Sequence, residues 1–582
     1  MSAFLAAYLA PIMFAALLAF LLTGFPVAFA LAAVGMVFGW IAIEMGLAPA
    51  ALFNALPLRL YGIMANDVLL AIPFFTFMGL ILERSRMAED LLETVGQVFG
   101  PMRGGLAIAV IVVGAMLAAT TGVVAAAVIS MGLISLPIMM RYGYNQPLAG
   151  GVIMASGTLA QIIPPSLVLI VIADQLGASV GDMYRAAFIP AFTLVFIYIA
   201  AILAIAIIRP KWVPALPPEA RTFREDSGRS GYRSLTLLMA VAAAAGTAMF
   251  VYWPALKAAV FGTTQALTDE RIVMALSAGF LFAFLLAVID QIARTGLLSQ
   301  MARRVTFVLI PPLLLVFLVL GTIFLGVATP TEGGAMGAAG ALIMALARRR
   351  LSWTLLKQAL DSSARLSIFV MFILIGSTIF ALTFNAIDGH KWVKALFAEL
   401  PGGEMGFLIF VSVMIFILGC FIDFFEIAFI LLPLLAPVAQ DLGVNMVFFG
   451  VLIGMVLQTS FLTPPFGFSL FYLRSVAAKK SYVDKVTGAT IPPMTTGALY
   501  KGAMAFVALQ CVMVVIMLVW PDIVLMGLGE QKVLDTQNVD IFIVPEEMPA
   551  EGAPPTDDLP VPPENNEPED AADLLMGGEQ KK

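Results

Sequence analysis

The chain has 582 residues, of which 61% are hydrophobic and only 12% are charged. Soluble globular domains carry charge on about a quarter of their residues. This composition and the mean hydropathy of +0.99 therefore exclude a soluble globular chain and indicate a polytopic membrane protein. Its apolar runs of about 20 residues match the length of a transmembrane helix, so an all-α bundle rather than a barrel is predicted.

Twelve apolar segments are predicted to span the bilayer. They cover residues 3–22, 25–44, 68–83, 147–171, 187–208, 234–254, 271–291, 305–325, 330–346, 366–385, 446–470 and 500–520. The first has no basic segment before it, so it is predicted to be a spanning helix and not a cleaved signal peptide. The net charge of −6 arises from the acidic C-terminal residues 530–582, which are predicted to form a disordered tail.

Two further apolar segments, residues 104–136 and 406–432, are interrupted near their middles by small or polar residues. The interruptions read AATTG at Ala118–Gly122 and GCFIDFFE at Gly419–Glu426. Half a bilayer, about 15 Å, needs only about 10 helical residues, so each segment has room for two helices that enter and turn back. Two re-entrant helical hairpins are predicted.

Two Pro-Pro pairs interrupt membrane-length segments, in SGTLAQIIPPS at Ser156–Ser166 and in QTSFLTPPFGFS at Gln458–Ser469. Proline lacks a backbone donor and clashes with the preceding turn, so each pair is predicted to break its helix. Free backbone groups at membrane depth are tolerated only inside protein or beside a watery cavity. Broken helices at corresponding places in two halves are typical of a transporter's binding site.

Basic residues orient the segments, because short cytoplasmic loops carry the excess of Lys and Arg. With the N-terminus outside, the main clusters all fall inside: Arg84 and Arg86, Arg141, Arg209–Arg233, Arg303 and Arg304, Arg348–Arg350, and Arg474 with Lys479 and Lys480. The two hairpins then enter from opposite sides. Two inverted structural repeats are predicted, residues 1–208 and 305–520, separated by a cytoplasmic loop and two extra spans within 209–304.

An ordered set of motifs resembles the large membrane subunit of tripartite ATP-independent periplasmic (TRAP) transporters, most closely the mannitol/chloroaromatic branch. The motifs are AIPFFTFMGLILE at Ala71, GGLAIAVIVVGAMLAATTG at Gly104, LPIMMRYGYN at Leu136, SGTLAQIIPPS at Ser156, TPTEGGA at Thr329, GCFIDFFEIAFILLP at Gly419 and TPPFGFSLFYL at Thr463. The resemblance implies an elevator-type transporter of the ion-transporter superfamily in the bacterial inner membrane, driven by sodium ions. It also implies a periplasmic binding protein and a separate small membrane subunit of four helices as partners, and no nucleic acid.

The chain departs from this family at the tip of the first hairpin, in the insertion and in its acidic C-terminal tail. Many members carry a Ser-rich tip in the first hairpin, where this chain has Ala119-Thr120-Thr121-Gly122. The insertion at about 211–300 is longer than the family pattern implies. The spacing of ligands at the first tip and the role of the insertion are therefore open.

Sodium prefers several oxygen ligands, and broken helices supply carbonyls beside hydroxyl and carboxylate groups. One predicted site combines Thr120, Thr121 and Gly122 with Thr158; the other combines Asp423 with Thr459 and Thr463. For each Thr the alternative is a hydroxyl bonded to a carbonyl one turn back. An ionisable residue at bilayer depth costs about 2.5–3.5 kcal/mol and indicates function, although Asp423 could instead cap a helix.

An organic-acid substrate is predicted at the same place. The residues expected beside it are Thr121, Asp423, Pro165 and Pro465. The hairpin tips contain no Lys or Arg, so backbone amides at helix starts would hold the carboxylate while sodium offsets its charge. Glu332, near a helix start, has capping and a substrate role as alternatives.

Three other functions compete with this one. A stand-alone sodium-coupled anion carrier of the related elevator class would share the same features. A membrane enzyme is suggested by Gly177–Gly181, which matches G-x-S-x-G, but that motif needs a strand-turn-helix setting and partners, and His390 is the sole histidine. A scaffold that binds nothing would show no sodium-dependent stability.

Overall fold

The computed structural model describes residues 2–221, 231–262, 266, 268–294, 296–398, 401–484 and 486–528. Within these ranges nine helices are long and apolar enough to cross a membrane, or ten if the bent pair Leu52–Met64 and Asp67–Arg84 forms one span. Two short strands, Tyr482–Val483 and Thr490–Ile491, pair antiparallel. The prediction of an all-α polytopic membrane protein is confirmed. The predicted acidic tail, 530–582, lies outside the described residues.

The α-helices are numbered here in chain order. They are α1 Ser2–Leu22, α2 Val27–Glu44, α3 Leu56–Met64, α4 Ala71–Arg84, α5 Met87–Phe99, α6 Gly105–Thr121, α7 Val124–Arg141, α8 Gln146–Thr158, α9 Leu167–Leu176, α10 Val180–Ile208, α11 Tyr232–Phe261, α12 Thr268–Ala293, α13 Gln300–Phe324, α14 Pro330–Ala347, α15 Trp353–Ala386, α16 Gly389–Ala398, α17 Gly403–Leu418, α18 Phe424–Asp441, α19 Met446–Ser460, α20 Phe468–Val476, α21 Thr496–Val519 and α22 Asp522–Leu525. Helices α11 and α12 are the two extra spans of the insertion.

Several helices begin well before their apolar part, because a serine caps an extra polar turn. Ser179 accepts a hydrogen bond from the Asp182 N–H at 3.3 Å, and Ser352 accepts one from the Leu355 N–H at 3.2 Å. Such a side chain satisfies one of the free donors of a first turn. Helices α10 and α15 therefore start at Val180 and Trp353, ahead of the predicted 187 and 366.

Each predicted hairpin consists of two helices with a short connection. Gly122 and Val123 join α6 to α7, and residues 419–423 join α17 to α18. The helices have 16 to 18 residues, more than the roughly 10 residues that half a bilayer requires. Pro137 and Pro433 lie inside α7 and α18 without ending them, so these two helices extend to Arg141 and Asp441, beyond the predicted segment ends at 136 and 432.

Both predicted helix breaks are present. Helix α8 ends at Thr158 and continues as a 3₁₀ turn, Leu159–Gln161, before α9 begins at Leu167. Helix α19 ends at Ser460 and α20 begins at Phe468. The Pro164-Pro165 and Pro464-Pro465 peptide bonds are both cis. The two predicted spans 147–171 and 446–470 are thus each divided into two helices.

Equivalent residues recur at one constant spacing in the two halves. Glycines in the left-handed conformation at Gly143 and Gly443 end α7 and α18. The next residues but one, Asn145 and Asn445, cap α8 and α19 by accepting backbone N–H groups. Pro164 and Pro464 have the same spacing. This register supports the prediction of two repeats.

The two halves exchange helices. Helix α9 of the first half packs on α18 of the second, and α20 of the second half packs on α7 of the first. A Cβ added to Gly132 of α7 would lie 2.8 Å from Leu473 Cδ1 of α20. Reciprocal packing of this kind is the contact pattern of two repeats related by a twofold axis. Each half therefore completes the other's buried surface.

Glycines allow certain pairs of helices to pack closely together. A Cβ on Gly376 of α15 would lie 2.3 Å from the Ala28 carbonyl oxygen of α2, and one on Gly337 of α14 would lie 2.5 Å from Met78 Sδ of α4. A Cβ on Gly151 of α8 would lie 2.6 Å from the Gly502 carbonyl oxygen of α21. Small residues permit such close packing between membrane helices. We name α2, α4, α14 and α15 the outer group, and α6–α9 with α18–α21 the inner group.

Candidate functional site

The tip of the first hairpin lies against the first helix break. Gly122 ends α6 in the left-handed conformation, with φ +58°, and a Cβ there would lie 3.2 Å from the Leu167 backbone N, where α9 begins. On α8, a Cβ on Gly157 would lie 2.3 Å from Val128 Cγ2 of α7. The backbone of the predicted first cation site, 120–122, is therefore placed in the same region as the break after Thr158.

The tip of the second hairpin lies against the second break in the same way. A Cβ on Gly419 would lie 2.2 Å from Ser460 Oγ, at the end of α19. The rings of Phe421 and Phe466 lie 5.1 Å apart, between tip and break. The connection that ends at Asp423 thus lies against the break that contains Thr463, and a shared cation site of these residues stays a prediction.

Asp423 occupies the N-cap position of α18. Its backbone N–H donates to the Glu426 carboxylate at 3.3 Å, and the two residues form a capping box. This is the structural alternative that the sequence left open for Asp423. A capping carboxylate keeps unused lone pairs, so a cap and a cation ligand are compatible roles for one side chain.

Four of the five threonines in the predicted sites have hydroxyls that each donate to a carbonyl about one turn back. The pairs are Thr120 to Leu117 at 2.9 Å, Thr158 to Ala155 at 3.0 Å, Thr459 to Met455 at 2.9 Å and Thr463 to Thr459 at 3.0 Å. This bond uses the hydroxyl hydrogen and leaves lone pairs free. The side chain of Thr121 lies outside the described residues, so its predicted ligand role stays a prediction.

The two breaks satisfy some of their carbonyls with serine and tyrosine hydroxyls. Ser166 donates to the Gln161 carbonyl at 2.8 Å, and Ser469 donates to the Phe461 carbonyl at 2.7 Å. The carbonyls of Pro164 and Pro464 accept no hydrogen bond from the described part of the chain. Each break therefore retains a carbonyl oxygen that a cation can use.

The two proline residues predicted to lie beside the substrate differ in exposure. Pro165 is buried, whereas Pro465 is exposed and its carbonyl accepts a hydrogen bond from the Tyr500 hydroxyl at 3.4 Å. The second break is thus the more accessible of the two. Contact of either proline with a substrate stays a prediction.

Sequence reasoning missed two glutamines at the breaks. Gln161 and Gln458 are fully buried. The Gln161 side-chain amide has no hydrogen-bond partner in the described part of the chain, and the Gln458 amide interacts with the Tyr198 hydroxyl without making a hydrogen bond of good geometry. A buried amide without a partner costs about 1–3 kcal/mol, so its carbonyl oxygen is suited to a cation or another ligand. The available signal was an amide residue within three to six positions of each Pro-Pro pair in an otherwise apolar stretch.

A third glutamine ties the first break to its neighbours. Gln510 of α21 donates to the Tyr198 hydroxyl of α10 at 2.7 Å and to Thr158 Oγ1 at 3.4 Å. All three residues are fully buried. The Thr158 hydroxyl is therefore oriented from two sides, by the Ala155 carbonyl and by Gln510.

Two residues named in competing interpretations have capping roles. Glu332 Oε2 accepts the Thr329 N–H at 2.8 Å, and Thr329 Oγ1 accepts the Glu332 N–H at 3.2 Å, which is a complete capping box. Ser179, the serine of the G-x-S-x-G match, caps α10 after another helix, α9. The nucleophile-elbow interpretation is wrong for Ser179, because the strand that such an elbow requires is not there.

Comparisons with known proteins identify the family. The family model of the tripartite ATP-independent periplasmic transporter DctM component matches residues 14–268 and 223–523. The C4-dicarboxylate TRAP transporter large permease protein DctM of Pseudomonas aeruginosa is 26% identical over 73% of this chain and 81% of its own. The isethionate TRAP transporter permease protein DctMQ of Oleidesulfovibrio alaskensis is 25% identical over 79% of this chain and 62% of its own.

Among solved structures, the Alcanivorax borkumensis YdaH transporter matches 81% of this chain and 88% of its own, with 12% identity and a TM-score of 0.47. The family match covers most of the chain, from the first helix to the last long one, including both hairpins and both breaks. The chain therefore belongs to the DctM family, the large permease component of TRAP transporters, and is a protein of the bacterial inner membrane.

Proposed function

We propose that this permease imports an organic acid by sodium symport, after a periplasmic binding protein delivers the substrate and together with a small four-helix membrane subunit. The observation that carries the proposal is the pairing of each hairpin tip with a helix break. Each pairing collects hydroxyl, carbonyl and amide oxygens at membrane depth, and the second adds the Asp423 carboxylate. A hard monovalent cation takes such oxygen ligands.

Sodium coupling is supported by the oxygens that the fold leaves without partners. At the first break these are the Pro164 carbonyl and the Gln161 amide. At the second break it is the Pro464 carbonyl, with the Gln458 amide only weakly engaged by the Tyr198 hydroxyl. Broken helices in transporters supply coupling-ion sites through such groups. We infer one sodium site at each tip, with Thr120, Thr121, Gly122 and Thr158 at the first and Asp423, Thr459 and Thr463 at the second.

An anionic substrate is supported by the helix starts that converge on the tips and by the relatives. Helices α9 and α18 begin at Leu167 and Phe424, each beside a tip, and a helix N-terminus favours a negative group. The two curated relatives described above are named for a C4-dicarboxylate and for isethionate, both organic anions. We infer a carboxylate or similar acid near Thr121, Asp423, Pro165 and Pro465, with sodium offsetting its charge.

An elevator mechanism is supported by how the two helix groups meet. Glycines allow α2 to pack closely on α15 and α14 on α4 in the outer group, and α8 on α21 in the inner group. Polar contacts between the groups are sparser: Asn66, before α4, donates to Asp174 of α9 at 2.8 Å, and Ser377 of α15 donates to the Phe429 carbonyl of α18. Close packing within each group and few polar contacts between the groups suit sliding of the inner group against the outer one.

The test of sodium coupling needs no substrate. The purified permease complex should melt at a higher temperature in sodium chloride than in potassium chloride, because a ligand that binds only the folded state stabilises it, by about 2.7 kcal/mol at 100 times its Kd. Gln161→Leu should keep its melting temperature in potassium, since this amide has no hydrogen-bond partner to lose in the described part of the chain, but should reduce the sodium shift.

Ser135→Ala is the matched control. Ser135 Oγ is also buried without a partner in the described structure, but it lies far along α7 from the tip, so this variant should keep the full sodium shift. Equal melting in both salts would contradict sodium coupling. Robust uptake into proteoliposomes without a binding protein would instead favour the stand-alone carrier.

A further inference from the structure

A cavity of about 590 Å³ lies between the first hairpin, helix α10, helix α12 of the insertion, and helices α4, α5 and α13. This volume falls within the range of about 300–1,000 Å³ that encloses a drug-sized molecule. Its innermost lining residues are Leu82, Leu91, Leu117 and Leu320, each at most 3% exposed. The cavity therefore reaches residues of the buried interior.

The walls of this cavity are apolar. The lining contains no charged side chain, and its one hydroxyl, that of Thr120, already donates to the Leu117 carbonyl at 2.9 Å. Five phenylalanines contribute rings: Phe188, Phe192, Phe196, Phe280 and Phe317. An organic acid would lose its hydration here without gaining a donor. The occupant must be a hydrocarbon group.

The exposure of the lining residues shows where the cavity opens. Phe196 of α10 is 66% exposed and Leu276 of α12 is 37% exposed. Lining residues on other helices, such as Leu91 of α5, are buried. Phe196 and Leu276 belong to helices that are long and apolar enough to span the membrane. The mouth thus lies between α10 and α12 on the surface that faces lipid. The bilayer itself is the nearest supply of hydrocarbon.

We propose that this cavity binds one acyl chain of a bilayer phospholipid, inserted between α10 and α12. The inner end of the chain then lies beside Thr120 and Pro164, against the first hairpin and the first break. Because an empty apolar space forfeits dispersion contacts on every wall, filling by an acyl chain is favoured over a void. The insertion helix α12 would then contribute to lipid binding, because its Leu276 and Phe280 form part of the cavity wall.

The test uses the permease complex, with its small subunit, in nanodiscs that contain a phospholipid with a photoactivatable diazirine near the end of one acyl chain. After illumination, mass spectrometry of peptides should find the label concentrated at cavity residues such as Met116, Phe192 and Leu313. A lipid with the diazirine on its headgroup should not label them. Labelling spread evenly over the lipid-facing helices would overturn the proposal.

Three variants sharpen this test. Ala115→Phe fills the cavity and should abolish the deep labelling, and Leu276→Trp should obstruct the mouth and reduce it. Leu281→Trp, also on α12 but 49% exposed and outside the lining, is the matched control and should leave it unchanged. If Ala115→Phe fails to fold, Leu276→Trp carries the test.

Two outcomes with folded protein would refute the acyl-chain site. One is deep labelling that persists unchanged in both lining variants. The other is deep labelling that appears only when the small subunit is removed, because the partner's helix would then be the natural occupant. The readout is lipid labelling, so a failed sodium symport proposal would leave this result intact.

Discussion

The two hairpin tips have corresponding backbone positions but differ in their side chains. At the constant spacing that relates Pro164 to Pro464, the N-cap residue of α7 is Val123 and that of α18 is Asp423. The first connection has two residues, Gly122 and Val123, and the second has five, 419–423. The first tip has hydroxyls and a left-handed glycine; the second has two carboxylates in a capping box.

This difference teaches that a duplicated backbone does not imply duplicated sites. The repeated glycines, asparagine caps and Pro-Pro breaks place both tips alike, because these residues fix backbone conformation. The side chains at the tips are free of that constraint. A charged ligand is available only at the second tip, so the second site should bind sodium more tightly and dominate coupling.

The largest expected effect comes from removing that charge. Asp423→Asn keeps an N-cap residue of similar capping strength but loses the carboxylate, so sodium-dependent uptake in proteoliposomes should fall by about 10-fold or more, as expected for contacts to a charged group of about 1.5–3 kcal/mol. Asp423→Ala should abolish uptake and also lower the melting temperature, since the cap is lost.

Val123→Ala at the equivalent position is the control and should leave sodium dependence unchanged. Asp423→Asn protein that transports at the normal rate with unaltered sodium dependence would show that the carboxylate is only a helix cap.

The second prediction compares two glycine variants to separate the loss of stability caused by backbone strain from the loss caused by crowding at the tip. Gly122→Ala should cost about 1–2 kcal/mol for the left-handed conformation and about 1–3 kcal/mol more for crowding against Leu167. Gly143→Ala, with φ +76° and no atom within 4 Å of the new Cβ, should show the first cost alone. Thermal unfolding and uptake measure both.

Gly419→Ala completes this series at the second tip. Its φ of −66° is compatible with alanine, but the new Cβ meets Ser460 Oγ, so it should show the packing cost alone. Equal losses of stability in Gly122→Ala and Gly143→Ala would mean that the first tip is not packed against its break.

The smallest expected effect concerns the far ends of the hairpins. Arg141 of α7 binds Asp484 through Nη2 at 2.9 Å and Nε at 3.0 Å, and these bonds lower the pKa of Asp484 from 3.8 to about 2. At the equivalent position of α18, Asp441 pairs with Lys394 in an exposed ion pair. Asp484→Asn should therefore lower the melting temperature more than Asp441→Asn at pH 7.

The contribution of the Arg141–Asp484 ion pair to stability should depend on pH. A carboxylate with a depressed pKa in the folded state stabilises the protein above about pH 4, and this contribution is lost as the pH falls from about 4 towards 2. The difference in melting temperature between wild type and Asp484→Asn should shrink over that range. A difference that stays constant with pH would exclude the ion pair as its cause.

Much of the fold could be predicted because its determinants are local. Apolar length predicted most of the twelve spans, although 3–22, 147–171, 330–346 and 446–470 are not among the helices that qualify as single spans in the described residues. Small or polar interruptions predicted both hairpins. The expectation that a Pro-Pro pair breaks a helix does not hold throughout the chain. Pro311 and Pro312 lie inside α13, which continues unbroken from Gln300 to Phe324. Neighbouring helices can satisfy the groups that prolines free, so the pair alone does not decide a break.

The elements that sequence reasoning missed are short or amphipathic. Helices α3, α5 and α16 lie outside all predicted spans, because their length and polarity do not resemble a spanning segment. At the site, the threonines and Asp423 were found through their motifs, whereas Gln161 and Gln458 were not. Their importance rests on burial without a hydrogen bond of good geometry in the described structure, which depends on the packing of distant helices.

The exchange of α9 and α20 between the halves has a consequence for synthesis of the protein. When the first half leaves the ribosome, α7 and α9 are in the membrane, but their partners α20 and α18 have not been made. Gly132 of α7 then faces lipid or a chaperone where Leu473 will later pack. We therefore expect the first half to complete its packing only after nearly the whole chain has been inserted.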